Sequence, residues 1–130
     1  MEDGELHVTG DPAFLPRRAK DFLRAEAARR MAVLVRAKAD AAGLVPGRIA
    51  VKDTTSRWGS CAPDKSLAFS WRLVMAPEHV QDYVAAHEVA HLRHMNHGPA
   101  FWTQVAALTA HTRPAIAWLK TQGPRLLRVR

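Results

Sequence analysis

The sequence predicts an α+β fold in one domain, on three observations. A long stretch of helical periodicity comes first, a cluster of short alternating segments broken by turn formers follows, and proline-initiated helical segments fill the rest. Residues 1–12 read as a tail or as an entering strand around Leu6 to Val8. Residues 13–42 read as one helix, because Ala19, Leu23, Ala27, Met31, Leu34, Ala37 and Ala41 recur at steps of three and four. Gly43 stops it. Pro46-Gly47 marks a turn, and Arg48 to Lys52 alternates polar and apolar residues as a strand does. Residues 54–65 hold turn formers around a short segment, Trp58 to Cys61, and Ser66 to Trp71 reads as another short strand. Pro77 opens a helix at its first turn, where its missing N–H costs nothing, and that helix is expected to reach Asn96. A helix from Pro99 to Ala110 and one from Pro114 to Gly123 complete the chain, with 124–130 as a basic tail.

Composition bounds the function. The 130 residues are 48% hydrophobic and 24% charged, ordinary for a globular chain and not for a disordered one. The longest strictly apolar run, Met31 to Val35, is far short of the roughly twenty residues of a membrane span. The acidic, polar start (Met1-Glu2-Asp3-Gly4-Glu5) predicts no secretory leader, and the single cysteine, Cys61, excludes an internal disulfide framework. Together these predict a cytoplasmic protein with no membrane association. The net charge is +7, and no Asp or Glu follows Glu88. A basic surface suits polyanions or acidic substrates, nucleic acid included, and equally serves as a solvated face.

One motif carries chemistry. His87-Glu88-Val89-Ala90-His91 is an H-E-x-x-H pattern, which composition alone would produce roughly 0.01 times in such a chain. Residues four apart share a helix face, so two imidazoles reach one zinc ion while Glu88 stands beside it as a general base. Val80, Val84, His87, His91 and Met95 form one stripe, which turns both histidines inward, where they need partners. A catalytic zinc takes three protein ligands. The lack of downstream acids excludes a downstream Glu as the third, and His94, His97 and His111 remain downstream. His94 lies about 10 Å from His87 along a continuous helix axis, badly placed to close a tetrahedron. His97 precedes Gly98-Pro99 and follows Asn96, so a left-handed turn there would swing it back to the metal. His97 is therefore favoured, with His111 next, as ligand or as a group near the site.

The run from His87 to His97, followed by Phe101-Trp102, resembles the signature of the YgjP-like metal-dependent hydrolases, zincin-fold relatives of the SprT and WLM metalloproteases. Arg57-Trp58-Gly59-Ser60-Cys61, the stretch Trp71 to Pro77, Tyr83-Val84 and Trp118-Leu119-Lys120 match the same family in order, so the resemblance spans about Gly10 to Gly123. It implies a metallopeptidase with one zinc per chain held by His87, His91 and His97, Glu88 as the catalytic residue, and a small, mostly antiparallel sheet packed over the metal-binding helix. The sequence departs from the family pattern in a shorter β-rich part before the first helix and in Gly98, where the family commonly has Ser. The His91-to-His97 spacing equals that of the metzincins, but His94 replaces their glycine and no later Met supplies their Met-turn.

Trp58, Ser60 and His111 are the candidate substrate contacts. Trp58 would wall the cleft, and the strand it opens would pair with an extended peptide; alternatively Trp58 fills core and Gly59 permits close backbone packing. Cys61 reads as a small buried thiol, Tyr83 as a packing neighbour of His87, and Phe101 and Trp102 as support beneath His97. The expected chemistry is hydrolysis of a peptide or protein by zinc-activated water, with Glu88 taking its proton and passing it to the leaving group. Two other readings start from the charge: a metal-dependent hydrolase of nucleotide phosphoanhydrides, and a nucleic-acid-binding module with a structural metal.

Overall fold

The structure, a computed structural model, describes residues 14–130. The entering strand read around Leu6 to Val8 lies outside the described residues. The order is α1 (Arg17–Ala42), β1 (Ile49–Lys52), β2 (Gly59–Cys61), β3 (Leu67–Ser70), a 3-10 helix (Trp71–Met75), α2 (Glu78–Ala90), α3 (Pro99–Leu108) and α4 (Thr112–Leu126). The fold class is α+β, as expected.

Helix α1 begins later than residue 13 because Pro16 occupies the N-cap and biases Leu15 toward extended backbone. It ends where predicted, with Gly43 in the left-handed conformation at φ 68° and Gly43 N–H bonded to the Asp40 carbonyl. The buried face is Leu23, Ala27, Met31, Val35 and Ala39. The expected stripe is right as far as Met31 and then departs: Ala37 and Ala41 are exposed and Leu34 is at the edge of the core. Steps of four advance 40° around a helix each time, so the contact line crosses α1 obliquely instead of running straight along it.

The sheet has the order β1-β3-β2. β2 and β3 are antiparallel, with Gly59 opposite Phe69 and Cys61 opposite Leu67. β1 and β3 are parallel, from Ile49 opposite Leu67 to Lys52 opposite Ser70. The sheet is thus mixed, not mostly antiparallel. The chain reverses between β1 and β2 and again between β2 and β3, and two reversals return it to its starting direction. Strand alternation sends Leu67 and Phe69 into the core and leaves Ala50, Lys52, Ser60 and Ala68 on the opposite face.

The segment after β3 is not a strand end but a fully buried 3-10 helix, capped where the Ser70 hydroxyl accepts from the Arg72 amide. Arg72 is 2% exposed. Its Nε donates to the Val129 carbonyl at 2.7 Å, its Nη1 to the Thr54 carbonyl at 3.1 Å and to Asp53 at 2.7 Å, and its guanidinium stacks on Trp71. A buried guanidinium survives only when its donors are so occupied. This pins the last residues of the chain: Val129 is fully buried, and the Leu15 amide donates to the Arg130 carbonyl. Residues 124–130, read as a tail, therefore extend α4 to Leu126 and then dock.

Helix α2 ends at Ala90, not Asn96. His91, Leu92 and Arg93 donate back to Glu88, Val89 and Ala90, tightening the last turn by three-residue hydrogen bonds. Met95, expected on the inward stripe, is consequently 58% exposed.

Two carboxylates tie distant elements together. Burial works against Asp82, but the Lys38 ammonium at 2.8 Å and the Thr109 hydroxyl outweigh it and hold its carboxyl below the usual range. Asp53 is also lowered, chiefly by the Trp71 indole N–H and then by Arg72. Depressed native pKa values stabilise the fold above the unfolded carboxylate range, and that stability is lost as pH falls through the native values. Thermal melts should hold level near neutrality and drop below about pH 4. A melting temperature unchanged from pH 7 down to pH 3 would contradict this.

Candidate metal centre

The last turn of α2 and the turn after it bring three histidines together. His87 and Glu88 lie in the last helical turn and His91 caps it. His97 folds back from the segment before α3, so that one nitrogen from each of His87, His91 and His97 lies within 4.8 Å of the others. Among the described residues this is the cluster of three or more such side chains able to hold a metal ion. The early end of α2 makes it possible. No left-handed residue at Asn96 or Gly98 is involved, since Gly98 has φ −86° and Gly43 and Lys65 are the positive-φ positions among the described residues. His94 joins the site only through its backbone, and Leu92 and Arg93 complete the turn.

Hydrogen bonds preset the nitrogens. His91 Nδ1 lies 2.9 Å from the His94 carbonyl, and His87 Nδ1 lies 2.9 Å from Glu88 Oε2. A carbonyl and a carboxylate only accept, so each Nδ1 carries the proton and each Nε2 presents its lone pair. Burial lowers the His91 pKa, with the bond to the His94 carbonyl acting against it, and so favours the neutral ring that a metal requires. His91 Nε2 and His97 Nε2 stand 3.0 Å apart. Two nitrogens bound tetrahedrally to one zinc at about 2.1 Å stand about 3.4 Å apart, so the donor set fits such an ion.

Phe101 is the common floor. It is fully buried, with its ring centroid 5.0, 4.5 and 4.8 Å from those of His87, His91 and His97. Trp102 packs on Phe101 at 5.0 Å and reaches His87 and His97 at about 6 Å. The Tyr83 ring is 5.9 Å from that of His87, and its hydroxyl is pushed up to about 12, first by burial and then by the Glu88 charge.

Strand β2 closes the site from above. A Cβ on Gly59 would meet the Glu88 side chain at 2.9 Å, so the backbone lies directly against this carboxylate, which is 4% exposed. The cleft, about 340 Å³, is lined by Arg57, Gly59, Ser60, Cys61, His87, Glu88, His91, Met95 and His97. Ser60 is thus where the sequence placed it. Trp58 and His111 are not brought to the cleft. Trp58 packs against the core and beside Gly123 of α4, where a Cβ would come within 3.4 Å of the indole nitrogen. His111 precedes α4, 6.1 Å from the His79 ring, at a separate cavity with Arg29, Arg30 and Asp82. Burial, then the Glu88 charge, raises the Cys61 pKa and keeps it a thiol. Sequence reading missed Met95 as a lining residue, since it assumed a helix there, and missed how closely Gly59 meets Glu88; the glycine between Trp58 and Ser60 was its one signal.

The chain matches the family described as YgjP-like, metallopeptidase domain, over residues 1–122 of its 130. Comparison with curated proteins and with solved structures gives no match.

Proposed function

Because the chain belongs to the YgjP-like metallopeptidase family, we propose that it is a zinc-dependent hydrolase of peptide bonds, with His87, His91 and His97 as ligands and Glu88 as general base. The observation that carries this reading is the convergence of three histidine nitrogens beside a buried carboxylate. When bound, zinc supplies Lewis acidity that lowers the pKa of a coordinated water toward about 7 and polarises the scissile carbonyl. Glu88 accepts the proton of the attacking water on its carboxylate and returns it to the departing amine. His87 Nδ1–H holds that carboxylate in place, and Gly59 and Phe101 enclose it and the ligand rings on either side.

Strand β2 is the substrate platform of this reading. Among the described residues it is at the edge of the sheet. Trp58 and Ala62 bond to Ser70 and Ser66 of the neighbouring segment, so by alternation Ser60 bonds inward and the amides and carbonyls of Gly59 and Cys61 face the free edge beside the cleft. An extended peptide added there gains backbone pairing without any sequence requirement. A lone unpaired cysteine fits a cytoplasmic setting. No helix among the described residues is long and apolar enough to cross a membrane.

The test is metal content by mass spectrometry of native protein. Wild type should carry about one zinc per chain, and His97→Ala should lose most of it. Wild type purified without metal and unable to take up added zinc would overturn the site.

A further inference from the structure

We infer that the sheet face opposite the core, next to the cleft, is a specificity subsite for an acidic side chain of the peptide substrate; this rests on the peptidase reading above. The observation is a second cavity of about 250 Å³, lined by Lys52, Thr54, Arg57, Gly59, Ser60, Ala68 and Phe69. It shares Arg57, Gly59 and Ser60 with the catalytic cleft, so β2 is the wall between the two. Its floor is open because Ser60 and Ala68, paired across the strands, are both small.

The charge is one-sided. Among the described residues no acidic side chain lines this cavity, while Lys52 and Arg57 both do. Neither cation forms an ion pair with a described residue. The neighbouring carboxylate, Asp53, is already occupied by Trp71, Arg72 and Lys20. Two cations without an ion-pair partner among the described residues, at the rim of a small-floored cavity, attract a carboxylate.

Strand geometry says which part of a substrate reaches it. Gly59 faces Glu88, so Ser60 faces the other way. A peptide paired on the free edge of β2 places alternate side chains on the two faces, and the residue opposite Ser60 shares the face of Ser60. The side chain that follows or precedes the one over Glu88 therefore enters the Lys52–Arg57 cavity. The subsite reads one residue beside the reacting bond, and backbone pairing handles the rest.

The test uses binding, so that turnover is not required. Zinc-loaded Glu88→Gln protein is titrated with fluorescein-labelled, C-terminally amidated peptides that differ only by Glu or Gln at successive positions. At one position the Glu peptide should bind about fivefold tighter at low salt, and the advantage should shrink at high salt. Lys52→Gln with Arg57→Gln, both at exposed positions, should abolish it, and Lys52→Glu with Arg57→Glu should favour a Lys peptide instead. Equal binding of Glu and Gln peptides at all positions would overturn the subsite. So would an advantage that survives the double Gln variant, one that appears only with a free terminal carboxylate, or displacement of the acidic peptide by an oligothymidine through the same two cations. If wild type cleaves none of these peptides while the Glu preference holds, the peptidase reading fails, and what stands is an acidic-side-chain pocket of a peptide-binding surface, not a substrate subsite. Cleavage without the preference removes the subsite alone.

Discussion

Glu88→Gln should bind zinc as wild type does and lose at least 10²- to 10⁴-fold in hydrolysis of a denatured protein substrate. The substitution keeps shape and volume. Its carbonyl oxygen still accepts from His87 Nδ1, so the ring that Glu88 now orients at 2.9 Å stays in place and the three nitrogens remain convergent. What disappears is a group able to take a proton. Metal analysis and melting temperature should therefore be unchanged while kcat falls. A variant that retains more than about a tenth of wild-type turnover would remove Glu88 from the role of base. A variant that loses its metal would show that the carboxylate is needed to build the site and not only to use it.

Phe101→Ala should be the most damaging single truncation near the site. The ring is fully buried and touches all three candidate ligands, with centroids 4.5–5.0 Å from theirs. Removing a buried phenyl costs roughly 3–5 kcal/mol, including the cavity left behind, and lowers the melting temperature by about 10–20 °C in a domain of this size. The rings would also lose the surface they pack against, so zinc affinity should fall about 10- to 100-fold, as it does when groups supporting metal ligands are removed. Phe101→Leu, which fills most of the volume, should recover most of the stability. Calorimetry paired with competitive zinc titration separates the two effects. Wild-type affinity in a destabilised Phe101→Ala protein would mean that the helix turn alone positions the histidines.

Much of this was legible from local pattern. The long first helix, its glycine stop, the three short strands and the starts of the later helices follow from periodicity, caps and prolines, all of which act within a few residues. The H-E-x-x-H spacing placed two of the histidines and Glu88 together for the same reason. What was not legible depends on residues far apart in the chain. Arg72 lies in an apolar run between a strand and a proline, and nothing nearby announces that its partners are Thr54 and Val129, 18 and 57 residues away. The oblique buried face of α1 is set by what it packs on, and Val35 and Ala39 replaced Leu34 and Ala37 accordingly. The residue types around His97 point to it, although the turn that delivers it lies at His91 to Arg93, where no glycine or proline marks a helix end. Trp58 and Ser60 are two residues apart, yet of the two only Ser60 lines the cleft, while Trp58 packs beside Gly123 of α4, far away in the chain.

The turn at His91 to Arg93 divides the proposed donor set into a fixed pair and a hinged arm. His87 and His91 ride on one helical turn and cannot separate without unwinding it. His97 is exposed and reaches the others from six residues further on, through Met95 and Asn96, which are also exposed. An ion held in this way would leave in steps, beginning with the swing of the hinged arm while the helical pair still held it. Equilibrium affinity would draw on all three rings, whereas the rate of exchange would depend most on the arm. The stiffness of residues 94–96 would then set how long each ion stays.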